Sequence, residues 1–442
     1  MKRIAFVSLG CDKNLVDSEL ALGSLLLQGY NTIVPPEEAE WVFLNTCAFI
    51  RPSCQETEGW IRKLVRLKKR DPRKKIVVLG CYVERFREKA ASKYRDVDYW
   101  IGVHDLPRLT DILDKGRRGV FLGSPPSVYH HDDPRVLSTP PHYAYVKIAE
   151  GCSHRCSFCL IPALRGPLRS RPVDSVIEET RRLAERGVSE IILVAQDLTA
   201  YGLDLYGARS LPSLLWELGK VLPEDIWIRL LYLAPEGVDE ALVEALVSVP
   251  QVVKYLDVPL QHVDPWILRR MGRPFVFEHI KERLTAIRER VPQVFLRTTF
   301  MVGFPGEEEG HFERLVQFVR DFRFERMGAF MYSDEEGTEA FILQPKVPEE
   351  VKRKRYALLM ETQKEVAEEV HQGFRGKVLT VILDEELCHG GERFFWGRTQ
   401  GDAPEVDCRV KVRVGEGLFK PGMKILVCIT STSAYELEGE VL

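Results

Sequence analysis

No apolar run in this chain approaches the length of a membrane span, and no low-complexity segment interrupts it. Neither charge sign is in excess: 62 Lys and Arg against 65 Asp and Glu give a formal net charge of −3 at pH 7. Met1-Lys2-Arg3-Ile4 runs directly into a strand pattern without an h-region or cleavage site, so no apolar leader is expected. These absences exclude a helical membrane protein and a polycation, and they set the expectation of a cytoplasmic location. A near-neutral chain can still carry a local nucleic-acid patch, but its total charge offers no support for one. With 45% hydrophobic and 29% charged residues over 442 positions, the composition is that expected of a globular protein of two to four domains.

What is present is cysteine. Ten cysteines in a long chain expected in the cytoplasm argue for metal binding rather than disulfides. Cys152, Cys156 and Cys159 form a C-x3-C-x2-C triplet in Gly151-Cys152-Ser153-His154-Arg155-Cys156-Ser157-Phe158-Cys159. Thiolates select soft metals, above all iron–sulfur clusters and zinc. A cubane cluster takes four protein ligands as a rule, so three close cysteines leave one iron open to a substrate. Zinc is the competing reading, with His154 as an awkwardly placed fourth ligand inside the triplet's first loop. Cys11, Cys47 and Cys81 each end a short apolar run (Ile4 to Gly10, Trp41 to Thr46, Ile76 to Gly80) of the kind expected for buried parallel strands. In open α/β sheets ligands sit beyond the carboxyl ends of the strands, so these three can converge on one site. The alternative is three buried core thiols. Cys54, Cys388, Cys408 and Cys428 fit no metal spacing and read as packing or surface thiols.

Residues 1–124 alternate strand and helix patterns, with helices read over Leu15 to Gln28 and Glu56 to Arg70. The basic run from Arg66 to Lys75 reads as a solvated face, with guidance of an acidic partner as the lesser reading. Residues 125–141, rich in proline, aspartate and histidine, read as a linker; its His130-His131 pair lacks further ligands. Residues 142–370 hold six strand patterns, from Tyr145 to Ala149 through Met327 to Met331, separated by helices such as Val173 to Arg186 and Phe277 to Arg290. Six units are too few for a closed eight-strand barrel, so a partial parallel barrel is expected, with chemistry at the strands' carboxyl ends. A charged helix from about Pro348 to His371 leads into residues 371–442, a strand-rich segment expected to form a small antiparallel β-barrel. The fold class is α/β throughout, ending in that barrel.

The triplet with its aromatic Phe158 resembles the signature of radical S-adenosylmethionine enzymes, which use a partial (β/α)6 barrel. The added Cys11, Cys47 and Cys81 make the chain similar to the methylthiotransferases among them, which carry a second three-cysteine 4Fe-4S cluster and a terminal TRAM barrel. Four strings resemble the branch that acts on ribosomal protein uS12: Ser8 to Glu19, Leu164 to Pro172, Gln196 to Gly202, and Pro259-Leu260-Gln261-His262. Asp12 stands where proline is the commoner family form, and Leu198 where threonine is. The resemblance spans essentially the whole chain.

It implies methylthiolation of the β-carbon of an aspartate on uS12, free or on the small subunit. Two 4Fe-4S clusters and two molecules of S-adenosyl-L-methionine are implied. One donates methyl to sulfur associated with the Cys11/Cys47/Cys81 cluster; the other is cleaved to a radical at the Cys152/Cys156/Cys159 cluster. A low-potential electron donor such as flavodoxin or ferredoxin and a sulfur carrier are the implied partners. By the same resemblance Phe158 lies by the adenine, and the turn containing Gly303 and Gly306 binds the cofactor. Gln196, Asp197, Arg229, Gln261 and His262 lie near strand ends; Gln196 and Arg229 are expected at the cofactor, and His262 as the proton-handling group. Two other functions compete: a tRNA-adenosine methylthiotransferase, and a non-catalytic iron–sulfur scaffold. In the terminal domain Glu385, Glu386, Glu392, Asp402, Glu405, Asp407 and Glu416 offset Arg393, Arg398, Arg409, Lys411 and Arg413, a mixed charge that favours a basic protein substrate over RNA.

Overall fold

The β-branched runs of the first 120 residues pair into one six-stranded, all-parallel sheet. Its order is Thr32–Ile33, Arg3–Ser8, Trp41–Thr46, Lys75–Gly80, Tyr99–Gly102 and Gly119–Phe121. This is a computed structural model that describes residues 2–30, 32–125, 128–273, 275–389, 392–415 and 417–442. Pro126 of the expected linker and Glu416 of the acidic set lie outside the described residues. The central strands Trp41–Thr46 and Lys75–Gly80 are buried along nearly their whole length, as helices cover both faces. Those helices are Asp12–Leu27, Arg51–Arg70 and Cys81–Lys93. The second starts five residues before the expected Glu56, because Pro52 sits in its first turn, where a missing N–H costs nothing. The basic run is only partly a solvated face. Lys74 is buried and donates to the carbonyls of Pro36, Glu37 and Ala39, and Lys68 pairs with the buried Asp98.

The middle region forms the expected open parallel barrel. Strands Tyr143–Lys147, Glu190–Val194 and Trp227–Leu230 make one half, and Tyr255–Asp257, Phe295–Val302 and Arg326–Met331 the other. Backbone bonds through Ile228 to Gln251 and Val253 join the halves into a six-strand arc. Its inter-layer core runs from Val146 and Leu193 through Leu256 to Phe300 and Phe318.

The expected linker is a packed strap. Arg135 pairs with Glu19 of the first domain at 2.6 Å and with Glu179 of the barrel at 2.5 Å, and its side chain is 9% exposed. The Pro134 carbonyl passes so close to Gly23 that a β-carbon there would lie 2.3 Å from it.

After the helix Glu349–Gln372 the chain closes into a five-stranded barrel, of order Val378–His389, Glu392–Thr399, Arg409–Arg413, Glu436–Val441, Lys424–Thr432. Four seams are antiparallel and one, between Arg409–Arg413 and Glu436–Val441, is parallel. This small barrel caps the amino-terminal mouth of the large one. Glu190, Tyr255 and Arg326, each the first residue of its strand, reach Arg398, Asp407 and Asp402 respectively. Arg229 joins the same contact: it is fully buried, donates to Glu190 at 2.6 Å and to the Gln400 carbonyl at 2.8 Å. Asp402 and Asp407 are therefore buried ion-pair partners, not surface acids free to steer a substrate; Glu385 and Glu386 are exposed. No helix among the described residues is long and apolar enough to cross a membrane.

Two expectations follow for this joint. Burial alone would raise the Glu190 carboxyl, but Arg398 and Arg229 outweigh it and hold it low. Glu190→Gln leaves two buried guanidinium groups short of a carboxylate and should cost about 3–5 kcal/mol in chemical denaturation. Wild-type stability in that variant would show the network to be dispensable. His371 is fully buried; its Nε2 accepts from Arg326 and its Nδ1–H donates to the Ser433 carbonyl, which fixes the neutral ring. Burial and the neighbouring Arg326 push it down to about 4, against about 6.5 unfolded. Its contribution is complete above about pH 6.5 and is lost as pH falls towards 4, by up to about 3 kcal/mol. His371→Gln should flatten that part of the stability–pH curve; an unchanged slope between pH 4 and 6.5 would contradict the assignment.

Candidate active site

Cys11, Cys47 and Cys81 stand just beyond the carboxyl ends of three adjacent strands, Arg3–Ser8, Trp41–Thr46 and Lys75–Gly80. The strand order reverses beside Arg3–Ser8, so these ends flank the crevice where open sheets bind ligands. Side-chain amides and hydroxyls tie the three loops together. Asn14 Nδ2 donates to the carbonyls of Leu9 and Thr46, Asn45 Nδ2 donates to the Asn14 carbonyl, and the Thr46 hydroxyl donates to the Leu79 carbonyl. Cys11 is the residue before the helix Asp12–Leu27 and Cys81 begins the helix Cys81–Lys93, so both sit at helix amino ends, whose pull toward thiolate burial outweighs in each. Gly80 adopts φ +91°, and a β-carbon there would lie 2.3 Å from Asn45 Oδ1.

The second triad follows the barrel's first strand. Its loop is pinned on all sides: Cys152 N–H donates to the Gly166 carbonyl (3.0 Å), Ser157 N–H to the Met271 carbonyl (3.0 Å) and Ala340 N–H to the Ser157 carbonyl (2.7 Å). Ile161 N–H points at Cys159 Sγ at 3.4 Å. Burial pushes the thiols of Cys81 and Cys159 up to about 12 and that of Cys152 to about 11, so metal loading must displace protons. Neither triad brings its three sulfurs within 4.8 Å of one another; among the described residues only His130, His131 and Asp132 meet that spacing. Tetrahedral zinc at 2.3 Å bonds needs sulfurs roughly 3.8 Å apart, so neither triad as it stands closes on a single zinc ion. His154 is also spoken for: its Nε2 lies 2.7 Å from Asp197, which raises its pKa. At the strap, Asp132 is already paired with Arg182.

Both triads line a single cavity of about 800 Å³ between the two α/β layers. Phe158, Gln196, Asp197 and Gln261 line it too. Gln196 donates to Glu150 at 2.7 Å while its Oε1, like that of Gln261, is buried without a partner. Such orphaned acceptors in a walled space await donors from a ligand. Gln261 and Tyr232 also hold φ of +70° and +65°, a conformation costly for residues with side chains and concentrated at functional sites.

Four expected residues are elsewhere. Arg229 lies at the opposite, amino-terminal mouth. His262 is fully buried behind the wall, accepts from the Asp264 N–H at 3.0 Å, and burial pushes it down to about 3. A neutral imidazole outside the cavity lining cannot exchange protons with a ligand there. Gly303 and Gly306 also lie outside the lining; β-carbons on them would meet Lys352 Cγ at 2.3 Å and Trp266 at 2.7 Å. Their smallness serves packing against the helix Glu349–Gln372 and Trp266. Conversely, Lys13, Asn14, Arg165, Tyr232 and Arg273 line the cavity unanticipated. Lys13 and Asn14 were readable from their place beside Cys11; Tyr232 gave no local signal.

Three family models match the chain: Radical SAM superfamily over residues 146–319, Uncharacterized protein family UPF0004 over 3–102 and TRAM domain over 376–442. A protein of Heliobacterium modesticaldum called ribosomal protein uS12 methylthiotransferase RimO is 41% identical over 100% of this chain and 95% of its own length. Proteins of the same name from Caldanaerobacter subterraneus and Clostridioides difficile are 41% and 40% identical, again over 100% of this chain and 100% and 99% of theirs. The chain belongs to the RimO family of radical S-adenosylmethionine methylthiotransferases. Among solved structures, the radical S-adenosylmethionine methyltransferase TsrM of Kitasatospora setae superposes with a TM-score of 0.56 at 15% identity, over 77% of this chain and 74% of its own. The cobalamin-dependent radical enzyme OxsB gives 0.51 at 12% identity, over 82% and 56%. These two likenesses concern the fold alone. Family membership makes the chain an enzyme that uses S-adenosylmethionine and 4Fe-4S clusters, as the resemblance implied.

The Gly80 geometry gives a direct check. Gly80→Ala forces a strained φ and a clash with Asn45, so it should displace Cys81. Iron bound after anaerobic reconstitution should fall to about half of that in the wild type, the share of one of two four-iron clusters. Full iron in this variant would contradict the geometry.

Proposed function

We propose that the chain methylthiolates the β-carbon of an aspartate on ribosomal protein uS12. Supporting this reading above all is the single cavity that two cysteine triads share, in a chain 41% identical over its whole length to proteins bearing that name. Cys152, Cys156 and Cys159 hold the cluster that binds S-adenosylmethionine, and Cys11, Cys47 and Cys81 hold the auxiliary one. When bound, the clusters and S-adenosylmethionine supply the radical, the methyl group and the sulfur, chemistry that acid–base side chains cannot perform at an unactivated carbon.

The protein's own residues bind, orient and exclude water. Phe158, packed edge-on against Phe304 with centroids 6.5 Å apart, offers an apolar wall beside its triad. The free acceptors of Gln196 and Gln261 take ligand donors such as an ammonium or amide N–H. The guanidinium of Arg165 donates to Cys81 Sγ at 3.5 Å, steadying that ligand. A flavodoxin or ferredoxin, a sulfur carrier and a cytoplasmic setting complete the reading.

Two experiments test it. Alanine at Cys11, Cys47 and Cys81 together should abolish methylthio transfer yet leave some reductive cleavage of S-adenosylmethionine, whereas alanine at Cys152, Cys156 and Cys159 should end both. Methylthio transfer by the first variant refutes the division of labour. Offered uS12 and unmodified tRNA side by side, the reconstituted enzyme should label only the protein. Label on a tRNA adenosine with none on uS12 would overturn the substrate while leaving the enzyme class intact.

A further inference from the structure

Four basic side chains line the cavity: two are held by partners, and the other two stand on opposite sides of it. Arg165 is saturated by Asp17, Glu150, Asn14 Oδ1 and Cys81 Sγ. His154 is held by Asp197. Arg273 is unpaired among the described residues, with its Nε buried and unpartnered, but it stands on the side of Cys152, Cys156 and Cys159, away from the other triad. Lys13 is on the other side, two residues from Cys11. Its side chain is 10% exposed; its ammonium lies 3.1 Å from Asp12 Oδ1 and 3.3 Å from the centre of the Tyr232 ring. An ammonium has three N–H groups. One faces Asp12 and one the ring, and among the described residues no other acceptor takes the third.

The unit is assembled across the two layers. Tyr232 comes from the barrel, with its hydroxyl donating to Asp12 at 3.1 Å. Its strained φ of +65° is held by its own N–H donating to Asp257 and by the Leu198 N–H donating to its carbonyl. The ring seats the ammonium at the cavity wall, and Asp12 is the one carboxylate that competes for it there among the described residues, a geometry suited to capture an anion.

We propose that Lys13 is the receptor for the carboxylate of the substrate aspartate. This rests on the reading of the substrate given above. The carboxylate carbon of aspartate is bonded directly to its β-carbon, so a cation that fixes the carboxylate fixes the reacting carbon one bond away. Lys13 places that carbon on the Cys11/Cys47/Cys81 side of the cavity. A neutral base or an amide side chain accepts only a weaker hydrogen bond from this ammonium, with no opposite charge to add to it, so Lys13 favours a carboxylate-bearing residue.

The test uses the reconstituted full chain with S-adenosylmethionine and no reductant. Binding is read by fluorescence anisotropy for a uS12 peptide with its target aspartate and for the same peptide with asparagine. Wild type should prefer aspartate by roughly tenfold to a hundredfold, the worth of one hydrogen bond between charged partners. Lys13→Met with iron retained should bring the two peptides within about twofold; an undiminished preference overturns the proposal. Asp12→Asn covers the case in which Lys13→Met fails to load iron. Removing the competing carboxylate should tighten the aspartate peptide and leave the asparagine peptide unchanged, and any other result overturns the proposal. With reductant added, absence of methylthio product from the wild type would sink the substrate reading itself, whereas product together with a retained preference in Lys13→Met sinks only the role of Lys13.

Discussion

A buried ion cluster between the two α/β layers sets where one cysteine triad stands relative to the other. Arg165 bridges Asp17 of the first domain and Glu150 of the barrel at 2.9 Å each, and Lys147 contacts the same two carboxylates. All four side chains are at most 10% exposed. Two positive and two negative charges leave the cluster neutral, and the Arg165 fork also reaches Asn14 and Cys81. Burying four charges is costly unless each is paired and hydrogen-bonded. Here the cost is offset by crossed pairing, in which each cation meets both carboxylates, an arrangement that admits few alternative positions. Burial would raise Glu150, yet Arg165 and Lys147 hold it ionised well below the usual carboxylate range.

The short helix Ile161–Arg165 makes this cluster a ruler. Its first residue donates toward Cys159 of one triad, and its last donates to Cys81 of the other. One turn of backbone thus links ligands from two separately folded layers. At the far mouth, Glu190 with Arg229 and Arg398 does a matching task for the small barrel. The chain therefore has a closed end stabilised by ion pairs and an open end left to the chemistry.

What the sequence made legible was local. Cysteines that end short apolar runs identify strand ends, since strand and ligand lie within a few residues of one another. Period-2 and period-3.6 patterns likewise located the helices to within a few residues; Arg51–Arg70 began early because Pro52 is tolerated at a helix start and is not a boundary. The misplaced residues failed for two reasons: a partner remote in sequence, or a backbone turn that no local pattern announces. Arg229 sits near a strand's carboxyl end by number, but its long side chain turns back to Glu190 and to Gln400, 171 residues away. His262 follows a cavity residue, Gln261, but the chain turns there with φ +70° and sends the imidazole behind the wall. The acid-rich tail misled similarly, because Asp402 and Asp407 find Arg326 and Arg297 only once the barrels dock.

The same docking bears on how a basic protein substrate is met. If the best-placed acids of the terminal barrel are consumed in holding it to the core, long-range attraction falls to exposed groups such as Glu385 and Glu386, and Glu386 already pairs with Arg393 at 2.6 Å. Exposed, partly neutralised charges are screened within about 8 Å at physiological salt and steer weakly. Selectivity must then be exercised inside the cavity, where the dielectric is low and one ammonium counts for more than several surface carboxylates. There the wall is half of each layer: Lys13 and Asn14 from the parallel sheet, Tyr232, Gln196 and Gln261 from the barrel. A substrate side chain that enters meets both layers at once, so the ion cluster that fixes their separation also fixes what the site can recognise.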